Sequence, residues 1–150
     1  MAHGRRPGGL TALAVLNFVV AGINLISLLA AIAVVALADT LKAAARTPQD
    51  RAVFDALGDM NVGLWVLIIA SGALALVLLI VAGVGYLKMR KWGRNMGNIY
   101  ALTAIASSVA GAILTPTELG GGLSIGTIIG LVYPTLTLYF INVTFKEELA

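Results

Sequence analysis

The 150-residue chain is 59% hydrophobic and 11% charged, with a mean hydropathy of +0.96 and a formal net charge of +3. A soluble domain averages roughly 25% charged residues, so this composition excludes a water-facing globule. The chain has no cysteine, which removes disulfides, thiolate nucleophiles and Cys-based metal sites. Its single histidine, His3, sits in the N-terminal tail, leaving no His pair to bind metal within the apolar runs.

The tail before Leu10 is polar, Gly/Pro-rich and basic through Arg5 and Arg6. The apolar run that follows, residues 10–38, is 29 residues long. A signal-peptide core is only about 7–15 residues, so an uncleaved first transmembrane helix is expected, although Ala36-Leu37-Ala38 resembles a cleavage site. At more than the ~20 residues needed to cross a bilayer, this helix must tilt or project. Asn17 and Asn24 lie seven apart and share one face, either as a polar lining or as interhelical hydrogen-bond partners.

Residues 39–61 form the one sizeable loop, in which Lys42, Arg46 and Arg51 are set against Asp39, Asp50, Asp55 and Asp59. Thr47-Pro48-Gln49-Asp50 reads as a helix start, with Thr as N-cap, Pro at the first position and an acid in the first turn. Gly58 is a suitable stop. A short amphipathic helix with Val53, Phe54 and Leu57 on one face is expected on the outer side.

The second span, residues 62–87, holds no charge and carries Trp65 and Tyr86 near its two ends, as membrane anchors do. It runs into the stretch LKMRKWGRN, residues 87–95, which holds four of the ten basic residues (Lys88, Arg90, Lys91, Arg94) and no acid. Excess Lys and Arg in a short loop keeps that loop cytoplasmic. Trp92 among them suits the headgroup layer. The same residues are also candidates for contact with anionic lipid or an acidic partner, at about 1 kcal/mol per basic residue.

In the third span, residues 96–114, Gly97, Ala101, Ala104, Ser108 and Gly111 recur at spacings of four and three, a small-residue seam along one face. Residues 115–121 form a turn with Pro116 and Glu118 and no Lys or Arg. The fourth span, residues 122–145, repeats Gly122, Gly126, Gly130 and Pro134 at four-residue intervals, a tandem G-x-x-x-G. Pro134 has no N–H, so a kink is expected and the Gly130 carbonyl needs another donor. Thr135, Thr137 or a neighbouring helix are the candidates.

With both termini cytoplasmic, inner segments carry seven basic and two acidic residues and outer segments three basic and five acidic. Every loop then obeys the charge rule. The expected architecture is an all-α polytopic protein, a single domain of four transmembrane helices in an antiparallel bundle.

With Gly83, Gly85, Leu87, Arg90, Trp92, Gly93 and Arg94 in view, the chain resembles the small four-helix integral membrane proteins of unknown function found in bacteria. That resemblance implies a bacterial cytoplasmic membrane. It brings no activity, cofactor or site residue with it.

No Asp, Glu, His, Lys or Arg falls inside the four apolar runs, and such groups are what pumps, proton-coupled transporters and intramembrane hydrolases use at depth. The expectation is therefore a non-enzymatic protein without cofactor or metal, whose partners are membrane lipids and other transmembrane helices, with no nucleic acid and no small-molecule substrate identified. It would serve as a structural or accessory subunit that meets other transmembrane helices through its small-residue faces. Two alternatives stay open: a small channel or transporter for an uncharged solute or ion, lined by Asn17, Asn24 and the Pro134 region, and a binder of anionic lipid.

Overall fold

The computed structural model describes residues 8–115, 122 and 124–149. The tail with Arg5 and Arg6 and the turn with Pro116 and Glu118 lie outside the described residues. Six helices follow in order: α1 (Gly8–Ala36), α2 (Ala38–Ala44), α3 (Pro48–Gly58), α4 (Val62–Leu87), α5 (Lys91–Leu114) and α6 (Ile125–Tyr139). The last continues as one wide π turn, Phe140–Thr144, with the Phe145 amide donating to the Phe140 carbonyl at 2.8 Å. There is no strand among the described residues.

Helices α1, α4, α5 and α6 with its π turn are 29, 26, 24 and 20 residues long and apolar enough to cross a membrane. At 1.5 Å per residue even the shortest spans a hydrocarbon core of about 30 Å. Helix α5 starts five residues before the apolar run at 96–114. Lys91 and Arg94 are good helix formers, so hydropathy marks where lipid is tolerated and not where the helix begins. Gly122, in contrast, stands outside α6 with a left-handed φ of +76°. Ser124 caps that helix by accepting from the Thr127 amide at 3.2 Å, so Gly122 does not share a helical face with Gly126 and Gly130.

Local chemistry sets the other boundaries. Thr47 and Asp50 form a reciprocal capping box at α3: Thr47 Oγ1 accepts from the Asp50 amide at 3.0 Å, and the Asp50 carboxylate accepts from the Thr47 amide at 3.1 Å. Asn61 caps α4 through the Gly63 amide at 2.6 Å. Helix α4 ends in a Schellman turn, in which the amides of Met89 and Arg90 donate to the carbonyls of Tyr86 and Gly85, each at 3.1 Å. Met89 takes the left-handed position, at φ 49°.

The helices pack in sequence order, α1 on α4, α4 on α5 and α5 on α6. Where α4 meets α5 next to the connector, Gly85 and Gly93 bring their backbones together. A Cβ on Gly93 would lie 2.6 Å from the Gly85 Cα, and one on Gly85 would overlap the Gly93 Cα. Nearby, Leu10, Leu13, Ala14, Ala82, Tyr86, Ile141 and Leu149 share one buried cluster. A second cluster at mid-length joins Ala21, Leu78, Leu79, Tyr100 and Ala101. The far end, which carries the loop helices α2 and α3, is open: among the described residues, none of 22–36, 62–77, 102–114 and 125–133 is buried. The bundle thus has a closed basic end, at the α4–α5 connector, and a splayed loop end.

Candidate functional site: an uncharged cavity between the helices

The splay leaves a cavity of about 600 Å³ that all four long helices line. Its floor, toward the basic end, is formed by Val20, Tyr100 and Tyr133, with Asn17 and Leu79 behind them and outside the lining. Asn17 is fully buried. Its amide donates to the Leu79 carbonyl at 3.5 Å, and its carbonyl oxygen accepts from the Tyr133 hydroxyl. The Tyr133 ring meets Tyr100 edge-on, with centroids 6.2 Å apart. Below this floor Tyr86 is buried against Gly97, where a Cβ would overlap the Tyr86 hydroxyl.

The walls hold Asn24 and several hydroxyls but no charged side chain. Ser71 Oγ donates to the Ile68 carbonyl at 3.1 Å, and Thr103 Oγ1 to the Ile99 and Tyr100 carbonyls at 2.8 and 2.9 Å. Ser108 Oγ donates across the helix contact to the Gly130 carbonyl at 3.1 Å, the group that Pro134 deprives of its amide. Thr135 and Thr137 bond the Leu131 and Tyr133 carbonyls instead, at 2.7 and 2.9 Å. Asn24 Oδ1 is buried and receives no hydrogen bond among the described residues.

The small residues fall into two sets. Gly97, Ala101, Ala104, Ser108 and Gly130 are taken up inside the bundle, against Tyr86, the mid-length cluster and one another. Gly126 meets only the Ser124 hydroxyl, at 3.6 Å from a built Cβ, and Gly111 meets nothing within 4 Å. Gly111 instead borders a second hollow, of about 240 Å³, between the loop-end halves of α4 and α5.

At the basic end, Arg94 turns inward. Its Nε donates to Asn142 Oδ1 at 3.1 Å, and Asn142 Nδ2 donates to Asn98 Oδ1 at 2.6 Å. The π turn carries Asn142 into this cluster. Trp92 is 38% exposed, with its ring edge on Gly85, and Lys91 is exposed. Lys88, Arg90 and Lys91 make no ion pair among the described residues; the one ion pair there is Lys42–Asp55, at 2.6 Å, tying α2 to α3. Sequence reasoning missed Tyr100, Tyr133, Asn98 and Asn142, whose only signal was a polar tip within an apolar run.

Four helices of this length and apolarity, with outward faces of exposed Leu, Ile and Val, make this a multi-pass integral membrane protein. The chain matches no protein-family model, no curated protein and no solved structure.

Proposed function

We propose that the protein is a non-enzymatic subunit of a bacterial cytoplasmic membrane, with both termini cytoplasmic. It associates laterally with other transmembrane helices, as a homo-oligomer or within a larger complex. The observation that supports this reading is the hollow between α4 and α5, whose α5 side consists of Ala106, Ser107, Ala110, Gly111, Leu114 and Thr115. Lipid supplies no hydrophobic drive between helices, so association depends on close backbone approach over small residues. Here such a surface is left unfilled between α4 and α5, whereas Gly97, Ala101, Ala104 and Ser108 are used within the chain.

The test follows from that division. Gly130 is a poor probe, because a Cβ there would lie 2.6 Å from Ser108 Oγ and disturb the fold itself. Ala106→Leu with Gly111→Leu fills the hollow between α4 and α5, since neither residue lines the larger cavity. Purified in mild detergent, the native chain is expected to run as a defined assembly, and the double variant as a smaller particle of unchanged helix content. A native chain that is monomeric, or a variant of native mass, counts against association through this face.

A further inference from the structure

The end of the bundle that holds the α4–α5 connector is rich in unpaired positive charge. Among the described residues it carries Lys88, Arg90, Lys91, Arg94 and Lys146 against Glu147 and Glu148, and none of these cations is in an ion pair. Keeping a loop in the cytoplasm needs only charge near the span. It does not need a charge that is fastened in place, and Arg94 is fastened.

Arg94 lies one turn into α5, partly buried at the edge where that helix meets the π turn. Its Nε donates to Asn142 Oδ1 at 3.1 Å. Asn142 is itself held through Nδ2, which donates to Asn98 Oδ1 at 2.6 Å and to the Leu138 carbonyl at 3.0 Å. Every partner in this relay is neutral, so the guanidinium is oriented while its charge is not offset. Its Nη groups meet no acceptor among the described residues. A fixed guanidinium with N–H groups to spare matches two oxygens of one oxoanion.

Lys91 precedes Arg94 by one turn, and Asn95, Asn98 and Leu102 continue its face at spacings of four, three and four. Lys91 and Asn95 are exposed and, with Arg90 and Trp92, border a shallow hollow at the connector. Farther along α5, Ile99 and Leu102 are 45% and 62% exposed. Cations, then neutral amides, then bare aliphatic side chains thus follow one another along a single strip. A soluble anion would leave the aliphatic half of that strip unused. A zwitterionic headgroup would bring its own cation among the basic residues. The fitting ligand has a net negative headgroup and a hydrocarbon tail.

We propose that this strip binds an anionic glycerophospholipid. Arg94 and Lys91 hold its phosphodiester, and an acyl chain lies over Ile99 and Leu102. The site is at the opposite end of α5 from the hollow bordered by Gly111, so the proposal does not rest on lateral association.

The experiment uses the full chain in phosphatidylcholine nanodiscs holding a minor fraction of phosphatidylglycerol with a diazirine in its acyl chain. A phosphatidylcholine carrying the same diazirine chain is the paired probe. The phosphatidylglycerol probe is expected to label the segments 99–102 and 139–143 more heavily, and unlabelled phosphatidylglycerol to compete. Arg94→Gln should reduce that preference about tenfold, the loss of charge-assisted hydrogen bonds. Lys88→Gln, which removes the same charge from the end of α4, should reduce it clearly less. Equal labelling by the two probes, or equal losses in the two variants, overturns the proposal. Displacement of the probe by millimolar glycerol phosphate, but not by sodium chloride at the same ionic strength, assigns the site to a soluble phosphate and overturns it too. The two-probe comparison on the native chain decides even where Arg94→Gln does not fold.

Discussion

Ser108 gives its hydroxyl proton to the carbonyl of Gly130, 3.1 Å away on the neighbouring helix, and so pairs the group that Pro134 leaves without an amide. One serine thereby couples the packing of α5 on α6 to the tolerance of a proline inside a membrane helix. Ser108→Ala should lower stability by about 1 kcal/mol. In a Pro134→Ala background, where residue 134 regains its N–H, the same change should have little effect. Unfolding equilibria in mixed micelles would measure both. Equal losses in the two backgrounds would mean that Ser108 acts through something other than this carbonyl.

Gly93 and Gly111 should behave oppositely although both lie in α5. A Cβ on Gly93 meets backbone atoms of Gly85 at 2.6 Å, so Gly93→Ala forces the helices apart and should cost about 1–3 kcal/mol. Gly111 has nothing within 4 Å, and Gly111→Ala should stabilise the helix by roughly 0.5–1 kcal/mol. Thermal midpoints in one detergent compare the two directly.

Asn17 and Tyr133 form a pair suited to a double-mutant cycle. Each single change, Asn17→Leu or Tyr133→Phe, strands a polar group at the cavity floor. The double variant should lose less than the sum, with a coupling of roughly 0.6–1.7 kcal/mol. Strict additivity would show that the bond contributes nothing in the membrane.

The loop helices lie outside the four long helices, and their exposed charged groups respond to pH in two ranges. Hydrogen bonds from Thr47 hold the Asp50 carboxyl below its ordinary value of 3.8. The cap is therefore fully formed above that value and is lost as pH falls through the lower folded-state value. Carboxyl-carbon NMR should show the Asp50 midpoint rising in Thr47→Ala. Lys42 is shifted the other way, above 10.5, by its hydrogen bond to Asp55 and that group's charge. The tie between α2 and α3 holds below 10.5 and is lost as pH climbs through the folded-state value. Added salt should loosen it at neutral pH, as for any exposed pair.

Orientation can be read by fusion. A reporter joined after Ala150 should be active only in the cytoplasm, in keeping with the basic connector at residues 87–95. Activity on the outer side would reverse the arrangement of all four helices.

The all-helical class was legible because its signal is local. Twenty consecutive apolar residues have few ways to satisfy their backbone in lipid other than a helix, and the α3 cap is written in the adjacent residues Thr47, Pro48 and Asp50. Of the site, Asn24 and Pro134 were among the candidates for a lining, but its bonds join residues far apart in the chain and were not legible. Ser108 and Gly130 are 22 residues apart, Asn98 and Asn142 are 44, and Asn17 and Tyr133 are 116. Spacing alone put Gly97, Gly111, Gly126 and Gly130 in one category. Position along the bundle separates Gly97 and Gly130, used against Tyr86 and Ser108, from Gly111, which shares the face of Gly97 but meets nothing at the loop end. The π turn that brings Asn142 to Asn98 has no counterpart in the hydropathy of the run that contains it.

The near-contact of Gly85 and Gly93 also bears on the order in which the molecule comes together. These residues are eight apart in the chain, so bringing them together closes a very short loop, whereas the Asn17–Tyr133 bond closes one of 116 residues. The entropic penalty of closure grows with loop length, and local contacts form fastest. The hairpin of α4 and α5 is accordingly the contact with the smallest closure penalty, and the bond that ties α1 to α6 is the one with the largest of those described.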